Sequence, residues 1–82
     1  MKIFGGSMIT VAKLKVGESG IIKKVNIDGD ALIRINEMGL TEGARVTVKK
    51  RAPLGDPLEI TTRGYSLCIR TGDADKIFVE KE

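Results

Sequence analysis

The apolar positions alternate with polar ones in three clear runs. From Ala44 to Lys50, Ala44, Val46 and Val48 lie on one parity and Arg45, Thr47 and Lys49 on the other. From Leu58, Leu58, Ile60 and Thr62 alternate with Glu59, Thr61 and Arg63; then Tyr65, Leu67 and Ile69 alternate with Ser66, Cys68 and Arg70. A period of two is the mark of a half-buried strand. Gly64 breaks the last two runs apart and predicts a hairpin or a bulge. Ile77 and Val79 predict a last short strand, and Gly20 to Ile27 the first. In that first strand Ile21, Val25 and Ile27 share a parity that Lys23 interrupts. Ile22 and Val25, three apart, face inward together only across a bulge, so the register stays open.

One segment follows a different period. Leu32, Ile35 and Met38 recur at helical spacing, which predicts a short helix with those three turned to the core. Asp28-Gly29-Asp30 marks the turn before it, with Asp30 as N-cap, and Asp30 and Arg34 stand at i, i+4 in the favourable order. Gly39 is placed to take the left-handed position that ends the helix, with Leu40 packing back beneath it. A helix of this length is unstable alone and depends on packing. Thr10 to Lys15 predicts one helical turn capped by Thr10, with Val11 and Leu14 inward, stopped by Gly17. Thr71 to Lys76 predicts a polar turn around Ala74.

About five short strands and one helix make a mainly β fold, and a small barrel would close such strands without long open edges. At 82 residues the chain is one domain with little apolar material to spare. Residues 1–7 are expected to be a flexible tail, Gly5-Gly6-Ser7 being linker-like, or a leader ahead of a start at Met8; the barrel is expected over 8–82.

Charge and composition narrow the function. Lys plus Arg number 14 and Asp plus Glu 11, a net +3 that is well mixed along the chain. Lys49-Lys50-Arg51, with Lys13, Lys15, Lys23 and Lys24, is read as a solvated strand end rather than a nucleic-acid footprint. Aromatic residues, which base stacking would need, are limited to Phe4, Tyr65 and Phe78. No apolar run approaches the ~20 residues of a membrane helix, so no direct insertion is expected. A single cysteine suits a reducing compartment, and the cytoplasm is the expected location.

The candidate chemistry is thin. There is no histidine, so Cys68 alone makes no zinc site, and nothing activates it as a nucleophile. Asp28 and Asp30 lack the further acidic ligands of a calcium loop. No phosphate-binding glycine loop is present. No catalytic residue, metal site or cofactor is therefore expected. What remains is the turn-rich stretch Ala52-Pro53-Leu54-Gly55-Asp56-Pro57, whose Leu54 has no partner in its local pattern and suits a loop presented to another protein. The candidate partner-binding residues are Ile33, off the helical stripe, with Arg51, Pro53, Leu54, Asp56 and Pro57.

Glu37-Met38-Gly39-Leu40, Gly43, Ala52 to Pro57, Gly64-Tyr65, Leu67 and Ile69-Arg70 together resemble the FeoA family, over roughly Thr10 to Val79. The resemblance implies an SH3-like small β-barrel carrying a short helix. It implies a cytoplasmic accessory or adaptor role in bacterial ferrous-iron transport, through contact with the cytoplasmic domains of the permease FeoB. A related domain closes some metal-dependent transcriptional regulators, which makes a regulatory domain the alternative; a nucleic-acid-binding barrel ranks third. The resemblance brings no metal-ligand set to these residues, and the oligomeric state is left open.

Overall fold

A computed structural model describes residues 8–82; the expectation for residues 1–7 lies outside them. The strands are β1 Met8–Thr10, β2 Ser19–Val25, β3 Arg45–Arg51, β4 Leu58–Thr62, β5 Tyr65–Ile69 and β6 Ile77–Lys81. Two helices interrupt them, α1 Gly29–Glu37 and the single turn α2 Thr71–Ala74, with a 3-10 turn at Val11–Lys13. The strands form one antiparallel sheet in the order β1-β6-β2-β3-β4-β5. Ile22, Val46, Val48, Leu58, Ile60, Ile77 and Val79 are all fully buried, so one face of a single sheet curls around its own core.

The mainly β architecture matches the sequence reading, with six strands rather than about five. The added one is β1, which pairs with β6 from Met8↔Glu80 to Thr10↔Phe78. Thr10 does stand at the N-cap of the 3-10 turn, but its side chain does not cap it. Its hydroxyl donates instead to the Asp75 carboxylate at 3.0 Å, tying β1 to the end of α2. Val11 and Leu14 are buried as the spacing predicts.

The register of β2 is settled by a bulge. Ile22 pairs with Val79 and Lys24 with Phe78, leaving Lys23 as the extra residue. Ile22 then faces the core fully and Val25 packs against it. Beside Ile22, Gly20 admits the close approach of β6: a Cβ there would lie 2.8 Å from Val79 Cγ2.

A second bulge, unseen in the sequence, lies in β3. Val48 pairs with Ile60 and Lys50 with Glu59, so Lys49 is the extra residue. One added residue flips every later side chain to the opposite face. Lys50, which shares parity with Val46 and Val48, is therefore exposed, and Arg51 turns inward.

Helix α1 departs from the expectation in three ways. Asp28, with extended backbone, is the N-cap; Asp30 lies within the first turn, where its charge still favours the helix end. Asp30 and Arg34 form no ion pair. Of the stripe, only Ile35 is buried, at 3% exposure, while Leu32 and Met38 are half-buried. The helix rests on the barrel by one narrow ridge rather than a full face.

The candidate partner-binding surface

The loop from Ala52 to Pro57 is held at both roots. At its start, the inward-turned Arg51 guanidinium donates to the Ala12 and Leu14 carbonyls, both at 2.6 Å, fastening the end of β3 to the 3-10 turn. Within the loop, Gly55 N–H donates to the Ala52 carbonyl at 2.8 Å and Ala52 N–H to that of Pro57 at 3.2 Å. Gly55 has φ +88°, a left-handed conformation that favours glycine. At the far end the Asp56 carboxylate accepts from Thr71 N–H at 2.8 Å, and Thr71 Oγ1 donates to the Gly55 carbonyl at 2.5 Å. The residue at the N-cap of α2, Arg70, offers no side-chain cap. Asp56 supplies one from across the chain, satisfying an N–H that the helix leaves open.

This frame sorts the six candidates. Leu54, at the tip, is 96% exposed, the most exposed large apolar side chain described. Pro53 and Pro57 are exposed beside it and, with Arg51, Glu59 and Cys68, line a shallow concavity at the loop's base. The polar heads of Arg51 and Asp56 are both used to hold the loop. Ile33 is 56% exposed on α1 but lines neither that concavity nor its neighbour. The neighbouring groove runs between α1 and the end of β5, over Ala31, Ile35 and Met38 on one side and Ile69 and Arg70 on the other. Cys68, a free exposed thiol, borders both concavities.

Thr71 is the residue that sequence reasoning missed, since a threonine in a polar turn carries no signal of a cap formed from fifteen residues away. The basic run is likewise broken up by the bulge. Lys49 pairs with Glu59 at 3.7 Å and Arg51 points inward, leaving no continuous stripe. Among the described residues no group of three or more acidic, cysteine or histidine side chains is placed to hold a metal ion, and no helix is long and apolar enough to cross a membrane.

Residues 9–81 match the family model described as the FeoA domain. An Fe(2+) transport protein A/Fe(2+) transporter FeoB fusion protein of Porphyromonas gingivalis is 37% identical over 70 residues; the match covers 85% of this chain and only 8% of the fusion. The FeoA protein of Chlorobium tepidum is 30% identical over 88% of this chain and 70% of its own, with a TM-score of 0.81. Two further likenesses speak to the fold alone. Zinc-complexed FeoA of Stenotrophomonas maltophilia, reported as a prokaryotic SH3 domain protein, superposes at TM-score 0.74 with 22% identity over 90% of this chain and 95% of its own. A manganese-dependent transcriptional repressor superposes at 0.85 with 13% identity, over 99% of this chain and 45% of the repressor. The barrel is SH3-like, and a match running from β1 to β6 makes this chain a member of the FeoA family, which is associated with Fe(2+) transport.

Proposed function

We propose that this chain is a non-enzymatic adaptor of ferrous-iron uptake, acting in the cytoplasm by contact with the cytoplasmic part of a FeoB-type transporter. The observation that carries this reading is the fusion in Porphyromonas gingivalis, where a homologous domain and the transporter share one polypeptide. A domain built into a transporter works at a fixed, high effective concentration beside it, and acting on the transporter takes a contact surface. The pinned loop with Leu54 at its tip suits that task. Its frame is held by Arg51 and Asp56, so little freedom is lost when the tip docks. An SH3-like groove of the usual aromatic kind does not suit it, because Tyr65 is the one tyrosine and tryptophan is absent.

The test is ferrous-iron uptake, followed with radioactive iron in cells that carry the transporter, with and without this chain. The adaptor reading expects the uptake rate to change while the amount of transporter stays constant. An unchanged rate at equal transporter levels would count against it. The regulatory alternative draws support only from the repressor's fold, and its test is separate: a shift in transcript levels with no change in uptake at fixed transporter abundance.

A further inference from the structure

We infer that the open edge of β5 is a docking site for an extended protein segment, which adds to the sheet as a seventh strand and carries acidic residues at both of its ends.

The backbone geometry says which groups are on offer. Arg63 and Gly64 form the two-residue turn between β4 and β5, with φ +53° and +88°, the left-handed pair of a type I′ hairpin. In such a hairpin the residues flanking the turn, Thr62 and Tyr65, exchange both backbone bonds, and the pattern then alternates. Ile60 and Leu67 bond, as do Leu58 and Ile69, whereas the N–H and C=O of Ser66 and Cys68 point away from β4. β5 is the end of the sheet, and among the described residues nothing bonds to those groups. Ser66 and Cys68 are both exposed, so they are reachable from solvent.

The edge also lacks protection. Sheet edges are ordinarily blunted by shortness, charge, proline or a bulge. The opposite edge, β1, is three residues long. β5 is five residues, Tyr-Ser-Leu-Cys-Ile, with no charge, no proline and regular pairing along its length. Beside it runs the groove to α1, floored by Ile35 and Met38, where alternate side chains of an added strand can lie.

Charge selects the occupant. Arg63 stands at the turn before β5, Arg70 just past its end, and Arg34 on the groove's far wall. None of the three is in an ion pair among the described residues. Asp73 is the one carboxylate on the groove, against two guanidiniums there and a third at the turn. A second copy of this chain is therefore disfavoured. The antiparallel register that pairs Ser66 with Cys68 of the other copy would bring Arg63 near the other's Arg70 at both ends, and like charges so placed repel. A segment of small apolar residues with Asp or Glu about six residues apart meets the same edge with complementary charge. The inference concerns this surface alone and does not require that the partner be the transporter.

The experiment is selection of random nine-residue peptides, displayed on phage, against the full chain. Selected peptides are then resynthesised, and their affinity is measured by fluorescence anisotropy. The expected winners carry acidic residues toward both ends, and their binding makes the Ser66 and Cys68 amides exchange slowly with solvent deuterium. Cys68→Pro removes an outward N–H that the fold does not use, and should weaken binding at least tenfold while the protein still melts cooperatively. Arg70→Glu leaves the backbone donors in place, and should weaken binding with a smaller response to added salt; it serves alone if Cys68→Pro does not fold. The inference is overturned by winners without acidic ends or by binding to both variants as tight as to the wild type. It is also overturned by protection centred on Ala52 to Pro57, or by Ser66 and Cys68 amides already protected in the free chain. A dimer in sedimentation that Cys68→Pro abolishes would overturn it in favour of a second copy.

Discussion

The Tyr65 hydroxyl donates a hydrogen bond to the Met38 carbonyl, joining the β4–β5 hairpin to the C-terminal end of α1. Arg63, from the same hairpin, adds bonds to the Gly39 carbonyl and the Thr41 hydroxyl, both at 3.3 Å. The Met-Gly-Leu and Gly-Tyr motifs are thus two halves of one contact. Gly39, at φ +87°, sits beneath it: a Cβ there would come 2.7 Å from Tyr65 Oη.

Two costs follow for Gly39→Ala, a backbone cost of about 1 kcal/mol at positive φ and a clash with the tyrosine hydroxyl. In a Tyr65→Phe background the clashing oxygen is gone, leaving the backbone cost and the lesser crowding by the Arg63 side chain at 3.3 Å. A double-mutant cycle in urea should therefore show Gly39→Ala costing less in the phenylalanine protein than in the wild type. Equal costs in both backgrounds would mean that Tyr65 and Gly39 do not meet as described.

The half-exposed stripe of α1 gives a graded expectation. Ile35 is buried and its truncation to alanine should cost roughly 2–5 kcal/mol, a large part of the stability of so small a domain. Leu32→Ala should cost less than half as much, because Leu32 is only half-buried. Urea unfolding of the two variants checks the order, and a loss below half a kilocalorie for Ile35→Ala would contradict the placement of the helix.

The helix shows where a sequence can be read and where it cannot. Period-two alternation marked the runs now seen as β3, β4 and β5; β3 and β4 bury alternate residues, whereas β5 buries only Ile69, with Leu67 half-buried and Tyr65 exposed. The helical spacing of Leu32, Ile35 and Met38 was legible too, but spacing does not say how wide a face the barrel leaves uncovered. The bulge at Lys49 had no local signal, since a lysine run looks the same whether or not the strand gains a residue. That one insertion decided the fate of Arg51, turning an expected surface charge into the fastener of the loop. The carboxylate of Asp56, a candidate partner-binding residue, is fixed by Thr71, a partner that only the fold brings near. The exposure of Leu54 was legible because its own loop offers it nothing to pack on.

Glu18 carries a pH expectation. Its carboxylate bonds Lys81 Nζ at 2.7 Å and accepts from Lys15 N–H at 2.8 Å, and these hold its pKa below the ordinary carboxylate value, the Lys81 bond most of all. A depressed folded-state pKa gives stability that is present above the unfolded value and lost as pH falls through the folded one. Wild type should melt slightly above Glu18→Gln at neutral pH, with the gap closing below about pH 4 and narrowing in high salt. A gap that persists unchanged into acid would assign the difference to packing.

For metal, the described residues supply no cluster of ligands, and Cys68 stands alone. Fe²⁺ or Zn²⁺ titrated calorimetrically into the chain should give weak heats without a defined stoichiometry. One tight site per chain would contradict this, and half a site lost in Cys68→Ala would show that a site is assembled between two copies.

The proposed contact with the transporter runs through the pinned loop. The direct measurement is binding of the purified cytoplasmic region of a FeoB transporter to wild type and to Leu54→Asp, with thermal melts of both. At 96% exposure, Leu54 contributes little to the fold, so the melting temperature should stay within about one degree. Binding should weaken at least tenfold, as when an apolar anchor is lost from an interface. Unchanged binding at unchanged stability, or a large fall in melting temperature, would contradict the account.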